Sequence, residues 1–179
     1  ARGAAPRALV ARVGALGDLL LTRRLTFSLF LAGFRTTLLA PARHASLLLG
    51  DPWIDTVLDS EGAGFAPVFG GSWPEEAGFD VGLVISNSDG LAEAARMAAT
   101  DVIRIPPEPE RADVSIAWQW ADAAQPACEP FKGTLPRLGS APGDALVTGA
   151  TLLHPGSGSP SKNWPVERFM EVGRELSNQ

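Results

Sequence analysis

The order of its apolar segments limits this chain to few folds. Short runs rich in β-forming residues alternate with longer helical segments. The predicted strands are residues 7–13, 36–40, 56–58, 81–86 and 102–105. The predicted helices are residues 18–32, 42–49, 89–99 and 112–125. Because parallel strands need a crossover connection, usually a helix, this alternation predicts an α/β fold: a doubly wound parallel sheet with helices on both faces.

The alternation is interrupted near residue 126 and then restarts. Residues 126–149 are rich in proline and glycine and are predicted to be a linker. Residues 150–179 read as one strand, one loop and one helix, which cannot bury their apolar faces by themselves. We therefore expect an N-terminal domain at 1–125 and, at 150–179, the first strand, loop and helix of a truncated second α/β domain.

Composition excludes several classes of protein. One cysteine, Cys128, and two histidines are too few for an ordinary structural zinc site, so we expect no metal. The net charge of −5 argues against a nucleic-acid partner. No apolar run is long enough to span a membrane. However, residues 1–43 hold seven of the 15 basic residues and one of the 20 acidic ones, so this part is predicted either to face an anionic partner or to be a solvated basic edge.

A glycine-bounded turn, residues 14–17, follows the first predicted strand and precedes Asp18. The carboxyl ends of strands are where open α/β sheets bind ligands. Asp18 is therefore a candidate for chemistry, although a carboxylate at a helix start is also a common N-cap. The turn lacks the G-x-G-x-x-G pattern, which disfavours a nicotinamide cofactor.

A second loop, residues 154–163, lies between the predicted strand at 150–153 and a helix expected to open with Pro165. Its small residues let backbone amides approach an anion, its serines can donate, and Lys162 adds a positive charge. This composition fits a diphosphate, and a flexible turn is the alternative. The loop is not a Walker A motif, because the Gly-Lys pair is missing.

Together the two loops resemble glycosyltransferase family 9, the lipopolysaccharide heptosyltransferases and their relatives. Residues 12–22 carry the family pattern Arg-x-x-x-Leu-Gly-Asp-x-Leu-Leu-Thr, and residues 154–165 carry His-Pro-Gly-Ser-Gly-Ser followed by Lys-x-Trp-Pro. The resemblance covers essentially the whole chain. It accounts for the first half to two-thirds of such an enzyme, so we expect these 179 residues alone to be inactive.

The resemblance implies a two-domain GT-B fold with facing Rossmann-like halves and an inverting, metal-independent sugar transfer without a cofactor. Asp18 matches the proposed general base on the acceptor side. The donor diphosphate would be held by Ser157, Gly158, Ser159 and Lys162. The further residues that the resemblance predicts to line the site are Arg12, Gly17, Thr22, His154 and Gly156.

The resemblance also implies the partners and the location. The donor is a nucleotide-diphosphate sugar, with ADP-heptose favoured, and the acceptor is an anionic glycolipid or other glycan. A bacterial, cytoplasmic protein with peripheral contact at the inner face of the cell membrane is expected. Leu21 departs from the histidine common in heptosyltransferases, which weakens the heptose assignment, and Arg24 replaces a frequent proline.

Two other functions remain open at this point: a non-catalytic module that binds an anionic glycolipid or a protein, and a sugar-nucleotide epimerase. The remaining polar and aromatic residues are predicted to be structural. Arg24 and His44 read as solvated or internally satisfied helix residues, while one of Trp118 and Trp120 is expected to pack and the other to lie at the domain cleft.

Overall fold

The computed structural model describes residues 4–74, 77–138, 153 and 163–177. In this part of the chain five parallel strands form one sheet with the order β3-β2-β1-β4-β5. The strands are β1 (Arg7–Ala11), β2 (Arg35–Ala40), β3 (Thr56–Asp59), β4 (Phe79–Ile85) and β5 (Ala99–Ile105). The predicted doubly wound parallel sheet is confirmed.

Helices and 3₁₀ turns connect the strands. The helices are α1 (Leu16–Leu21), α2 (Arg23–Leu31), α3 (Ala42–Ala45), α4 (Asp89–Ala98), α5 (Ile116–Ala123) and α6 (Val166–Ser177). The 3₁₀ turns are Ser46–Leu48 and Ala63–Gly70, the second of which lies in the long connection between β3 and β4. Because the chain adds β2 and β3 on one side of β1 and then returns to its other side for β4, the topological switch point lies between β1 and β4.

Strand β1 is buried on both faces, which explains its nearly continuous apolar sequence. Ala8 and Val10 contribute to the core on one face, which also contains Leu25 and Leu29 of α2 and Trp120 of α5. Leu9 and Ala11 contribute to the other face, where Leu91, Ala94 and Ala95 of α4 pack. All four β1 residues named are fully buried. Full burial of a leucine side chain contributes about 1.5–3 kcal/mol, so both faces stabilise the sheet.

The single helix predicted at 18–32 is two helices, α1 and α2, divided at Thr22. The Thr22 hydroxyl donates to the Leu19 carbonyl at 2.7 Å, and the Thr22 amide donates to the same oxygen at 3.1 Å. A threonine that bonds back into the preceding turn competes with the regular helical ladder. The periodicity could not reveal this break, because the apolar pattern continues through it.

Helix α2 ends in a Schellman motif at Gly33. The Gly33 amide donates to the Phe30 carbonyl at 2.9 Å and the Phe34 amide to the Leu29 carbonyl at 3.0 Å. Gly33 has a φ of 89°, which glycine adopts without a Cβ penalty. The chain therefore turns sharply from α2 into β2.

Helix α5 is shorter than the predicted segment 112–125 because a side chain organises the residues before it. The Gln119 amide oxygen accepts from the backbone amides of Glu110 and Arg111, at 2.8 and 3.0 Å. Its nitrogen donates to the carbonyls of Arg111 and Val114, at 2.7 and 2.8 Å. These backbone groups are thus satisfied in a loop, and the helix begins at Ile116.

The chain divides into two compact units, Ala1–Ala141 and Pro142–Gln179. In the first unit, residues 126–138 of the predicted linker lie against α2. The Phe131 amide donates to the Ser28 hydroxyl at 2.9 Å, and the Arg24 guanidinium donates to the carbonyls of Phe131 and Gly133, at 2.5 and 3.2 Å. Arg24 also lies over the Trp118 ring at 3.8 Å. Arg24 is thus half-buried and makes structural contacts with the segment that follows α5.

In the second unit the structure describes α6, the three residues before it and Leu153. The helix begins at Val166, one residue later than predicted, and the Arg168 amide donates to the Pro165 carbonyl at 3.0 Å. Trp164 packs edge-on against Phe169, with ring centroids 5.1 Å apart. Of the predicted strand at 150–153 the structure describes only Leu153, and of the predicted loop at 154–163 only Asn163. The predicted domain division stays a prediction.

Candidate functional site

The candidate site lies at the carboxyl ends of β1 and β4, the two strands at the switch point. Their register pairs Ala11 with Val84, which places Arg12 beside Ile85. The Arg12 amide continues the ladder to β2 by donating to the Leu39 carbonyl at 3.0 Å, while its side chain Nη1 donates to the Ile85 carbonyl at 3.3 Å. Arg12 therefore joins the ends of three neighbouring strands.

Asp18 lies in the first turn of α1 and pairs with Arg12. The distance from Asp18 Oδ2 to Arg12 Nη2 is 2.6 Å, and the side chains are 43% and 11% exposed, respectively. The N-cap of α1 is Ala15, without a side-chain capping bond, so Asp18 does not cap the helix. Within the described residues no hydrogen bond is made to Asp18 Oδ1. The carboxylate is thus held through one oxygen and presents the other.

An aromatic ring supports the Arg12 guanidinium. Its central carbon lies 5.4 Å from the centroid of the Trp120 ring, within the range of cation–π attraction. Trp120 is 1% exposed, and its indole nitrogen donates to the Pro106 carbonyl at 3.0 Å. Gly14 lies on another side of the guanidinium, where an added Cβ would be 3.5 Å from the Arg12 central carbon. The Arg12 side chain is therefore enclosed by protein.

His44, predicted to be structural, contacts the loop that precedes Asp18. Its Nδ1 lies 3.1 Å from the Gly14 carbonyl oxygen, and its Nε2 lies 3.2 Å from Arg43 Nε. A carbonyl oxygen accepts and a guanidinium donates, so both contacts require the neutral tautomer with the proton on Nδ1. His44 follows closely after β2, a position from which its proximity to this edge could have been expected.

Other polar side chains at the carboxyl ends of the strands make hydrogen bonds of their own. Asp59, at the end of β3, accepts from the backbone amides of Ala42 and Glu61 at 3.0 and 3.1 Å, and these hydrogen bonds lower the pKa of its carboxyl group. After β4, the Asn87 amide donates to Glu108 at 2.9 Å. None of these residues was predicted to be functional, although each lies at or just after the carboxyl end of a strand.

The predicted residues of the first motif are not all at the site. Arg12 and Asp18 meet, and Gly17 is exposed in the first turn of α1. Thr22 is fully buried, and its hydroxyl is satisfied by the Leu19 carbonyl, so the structure does not bring it to this surface. The predicted residues of the second motif lie outside the described part of the chain: His154, Gly156, Ser157, Gly158, Ser159 and Lys162.

The N-terminal arginines are mostly neutralised by acidic residues. Acidic groups from residues 51–61 pair with three of them, so the basic segment does not form an unpaired basic face in the described residues. The ion pairs are Arg12–Asp18, Arg23–Asp51, Arg35–Asp55 and Arg43–Glu61, and Arg7 lies over the Phe79 ring at 4.7 Å. The charge asymmetry along the sequence is thus largely cancelled in space.

Other features of the described residues bear on chemistry. In these ranges no group of three or more histidine, cysteine, aspartate or glutamate residues is arranged to hold a metal ion. Burial raises the pKa of the Cys128 thiol to about 11, so this cysteine is a poor nucleophile. Across the same residues no helix is both long and apolar enough to cross a membrane.

The fold resembles those of solved glycosyltransferases, whereas no protein-family model and no curated protein matches the chain. A glycosyl transferase family 9 structure from Veillonella parvula has a TM-score of 0.64 and 16% sequence identity over 93% of this chain and 58% of that one. E. coli heptosyltransferase WaaC with ADP has a TM-score of 0.62 and 12% identity over 95% of this chain and 64% of that one.

These comparisons bear on the resemblance inferred from the two motifs. The chain spans about three-fifths of the length of each structure, and the sequence identities are low. Structural similarity at such identity shows the fold, while function depends on the site. The resemblance to family 9 glycosyltransferases is therefore confirmed for the fold, and the chain is folded like part of such an enzyme.

Proposed function

We propose that this chain is the acceptor side, with the beginning of the donor side, of an inverting, metal-independent glycosyltransferase. The observation that carries the proposal is the position of Asp18. Its carboxylate lies at the switch point between β1 and β4, is partly exposed, and is held by Arg12 through one oxygen. In open α/β sheets this crevice is where a substrate binds.

In the proposed reaction, a hydroxyl oxygen of the acceptor attacks the anomeric carbon of the donor sugar. Asp18 Oδ1 accepts the hydroxyl proton as the new glycosidic bond forms. The bond between the anomeric carbon and the diphosphate oxygen breaks, and the nucleoside diphosphate leaves with the electron pair. Attack from the face opposite the leaving group inverts the anomeric configuration.

The proposed donor site is the predicted loop at 154–163. Lys162, the hydroxyls of Ser157 and Ser159, and the amides near Gly158 would stabilise the negative charge on the departing diphosphate. His154 and Gly156 would line the same site. The heptosyltransferase structure with ADP supports a nucleotide-diphosphate donor, and ADP-heptose is the donor we propose to test first.

The proposed acceptor is an anionic glycolipid of the lipopolysaccharide type or another glycan. The family resemblance supports this acceptor more than the N-terminal arginines do, because most of those arginines are paired within the protein. A cytoplasmic protein in peripheral contact with the inner face of the cell membrane would meet such an acceptor. No nucleic-acid partner is proposed.

The test of this function is transfer of a labelled sugar by the complete gene product. With a panel of nucleotide-diphosphate sugars and a lipopolysaccharide-core acceptor, we expect acceptor-dependent transfer that continues in EDTA and gives an inverted anomer. Conversion of the donor without an acceptor would indicate an epimerase. Binding to anionic vesicles that weakens with salt, without transfer, would indicate a binding module.

Replacement of Lys162 by alanine is expected to weaken donor binding. Loss of one charge-assisted hydrogen bond costs about 1.5–3 kcal/mol, which corresponds to roughly a 10- to 150-fold rise in the dissociation constant. Isothermal titration of the complete gene product with the nucleoside diphosphate measures this dissociation constant. Lys132→Ala removes an exposed lysine from the first unit and serves as the control. Equal affinities of the two variants would place the diphosphate elsewhere.

A further inference from the structure

We propose that Arg12 is the positioning residue of the site and acts on the reaction through Asp18. The inference rests on the proposed function, because it assumes that Asp18 accepts the proton. Arg12, predicted from the sequence only to line the site, thereby receives a specific role.

Helix α1 does not fix the Asp18 side chain by itself. Helix α1 has six residues, and Ala15 supplies no side-chain cap at its start. The only hydrogen bond that the described residues make to the Asp18 side chain is the one from Arg12, at 2.6 Å. The direction in which the carboxylate points is therefore set by the guanidinium.

Arg12 is itself held by the sheet. Its backbone amide bonds to the end of β2, and its Nη1 bonds to the Ile85 carbonyl at the end of β4. The Trp120 ring supports the guanidinium at 5.4 Å, and a hydrogen bond to Pro106 holds that ring in place. These contacts come from the sheet and from the core. They hold the Arg12 guanidinium, and through it the Asp18 carboxylate, at the switch point of the sheet.

The shape of the arginine side chain allows both hydrogen bonds at once. A guanidinium is planar and donates from separate nitrogens in a fixed geometry, so Nη1 and Nη2 reach Ile85 and Asp18 at the same time. A lysine ammonium carries the same charge on a flexible stem and cannot reproduce both bonds with the ring contact. The proposed role therefore requires the shape of arginine as well as its charge.

The test compares Arg12→Lys with wild type in the complete gene product. Misplacement of a reacting group by about 1 Å can cost about 100-fold in rate, so we expect kcat to fall by about 10- to 100-fold while the donor KM stays within about twofold. Arg35→Lys is the matched control, because Arg35 pairs with Asp55 and is 65% exposed. It is expected to leave both constants unchanged. Unchanged kcat in Arg12→Lys would overturn the inference.

A double-mutant cycle separates action through Asp18 from direct contact with the substrate. If Arg12 acts through the carboxylate, Arg12→Lys has less than about a twofold effect on kcat in an Asp18→Asn background. An undiminished effect there would show that Arg12 acts independently and would overturn the positioning role. Full turnover by Asp18→Asn alone would instead reject the base assignment, so the two failures are distinguishable.

A second variant tests the same inference by chemical rescue. Arg12→Ala leaves a space beside Trp120 that fits a guanidinium ion. We expect added guanidinium, at concentrations well below those that denature the protein, to restore part of kcat, while methylammonium at equal ionic strength does not. Equal recovery with both ions, or none with either, would contradict the requirement for a guanidinium group.

Discussion

Asp18→Asn is expected to lower kcat of the complete gene product by about 10²–10⁴-fold, the usual contribution of a general base. Asparagine has nearly the same shape, and its oxygen can still accept the bond from Arg12, but its amide cannot take a proton from the acceptor hydroxyl. Donor affinity is expected to change little, because the proposed diphosphate site lies in the second motif. Initial rates of labelled sugar transfer give kcat, and isothermal titration gives the dissociation constant.

The control for this prediction is Asp55→Asn. Asp55 is also paired with an arginine, Arg35. It lies just before β3, at the amino ends of the strands, whereas Asp18 lies near their carboxyl ends. Its replacement is expected to leave kcat unchanged. If Asp18→Asn retained full turnover while Asp55→Asn behaved as expected, another group would have to accept the proton, and the proposed role of Asp18 would be abandoned.

The sequence predicted the sheet and the position of Asp18 because both depend on local patterns. Alternating apolar runs and crossover helices define the order of elements, and the turn after the first strand places a residue at the carboxyl edge. The contacts that hold Asp18 in place do not follow from local patterns. Arg12 reaches Ile85 because β4 pairs with β1, and it reaches Trp120 because α5 packs against the sheet. Both contacts depend on the tertiary fold.

The distribution of charge in space is a second property that local sequence patterns do not predict. A count along the chain places the arginines of residues 1–43 in a basic segment. In the fold, Arg23, Arg35 and Arg43 meet carboxylates that are 28, 20 and 18 residues further along, respectively. Because the sheet brings these segments together, the linear asymmetry predicts an anionic partner more strongly than the structure supports.

The ion pair between Arg23 and Asp51 differs from the other pairs because it is buried. The side chains are 10% and 1% exposed, and the guanidinium donates to both carboxylate oxygens, at 2.7 and 2.9 Å. Arg23 also donates to the Pro136 carbonyl at 3.0 Å and lies 5.3 Å from the Trp53 ring. The Arg23 guanidinium has little access to water in this position, so the stability of the folded protein depends on the compensating charge of Asp51.

Asp51→Ala is therefore expected to lower the free energy of unfolding by about 3–5 kcal/mol, the cost of leaving a buried charge without its partner. Urea denaturation of the 179-residue chain measures this loss, with the m-value checked for constancy. Glu93→Ala, which breaks an exposed pair with Arg96, is the control and is expected to cost less than about 1 kcal/mol. If the uncompensated charge causes the loss, the double variant Arg23→Met/Asp51→Leu should recover most of it, because apolar residues can replace a buried pair. A double variant as unstable as Asp51→Ala would instead assign the loss to packing around Trp53.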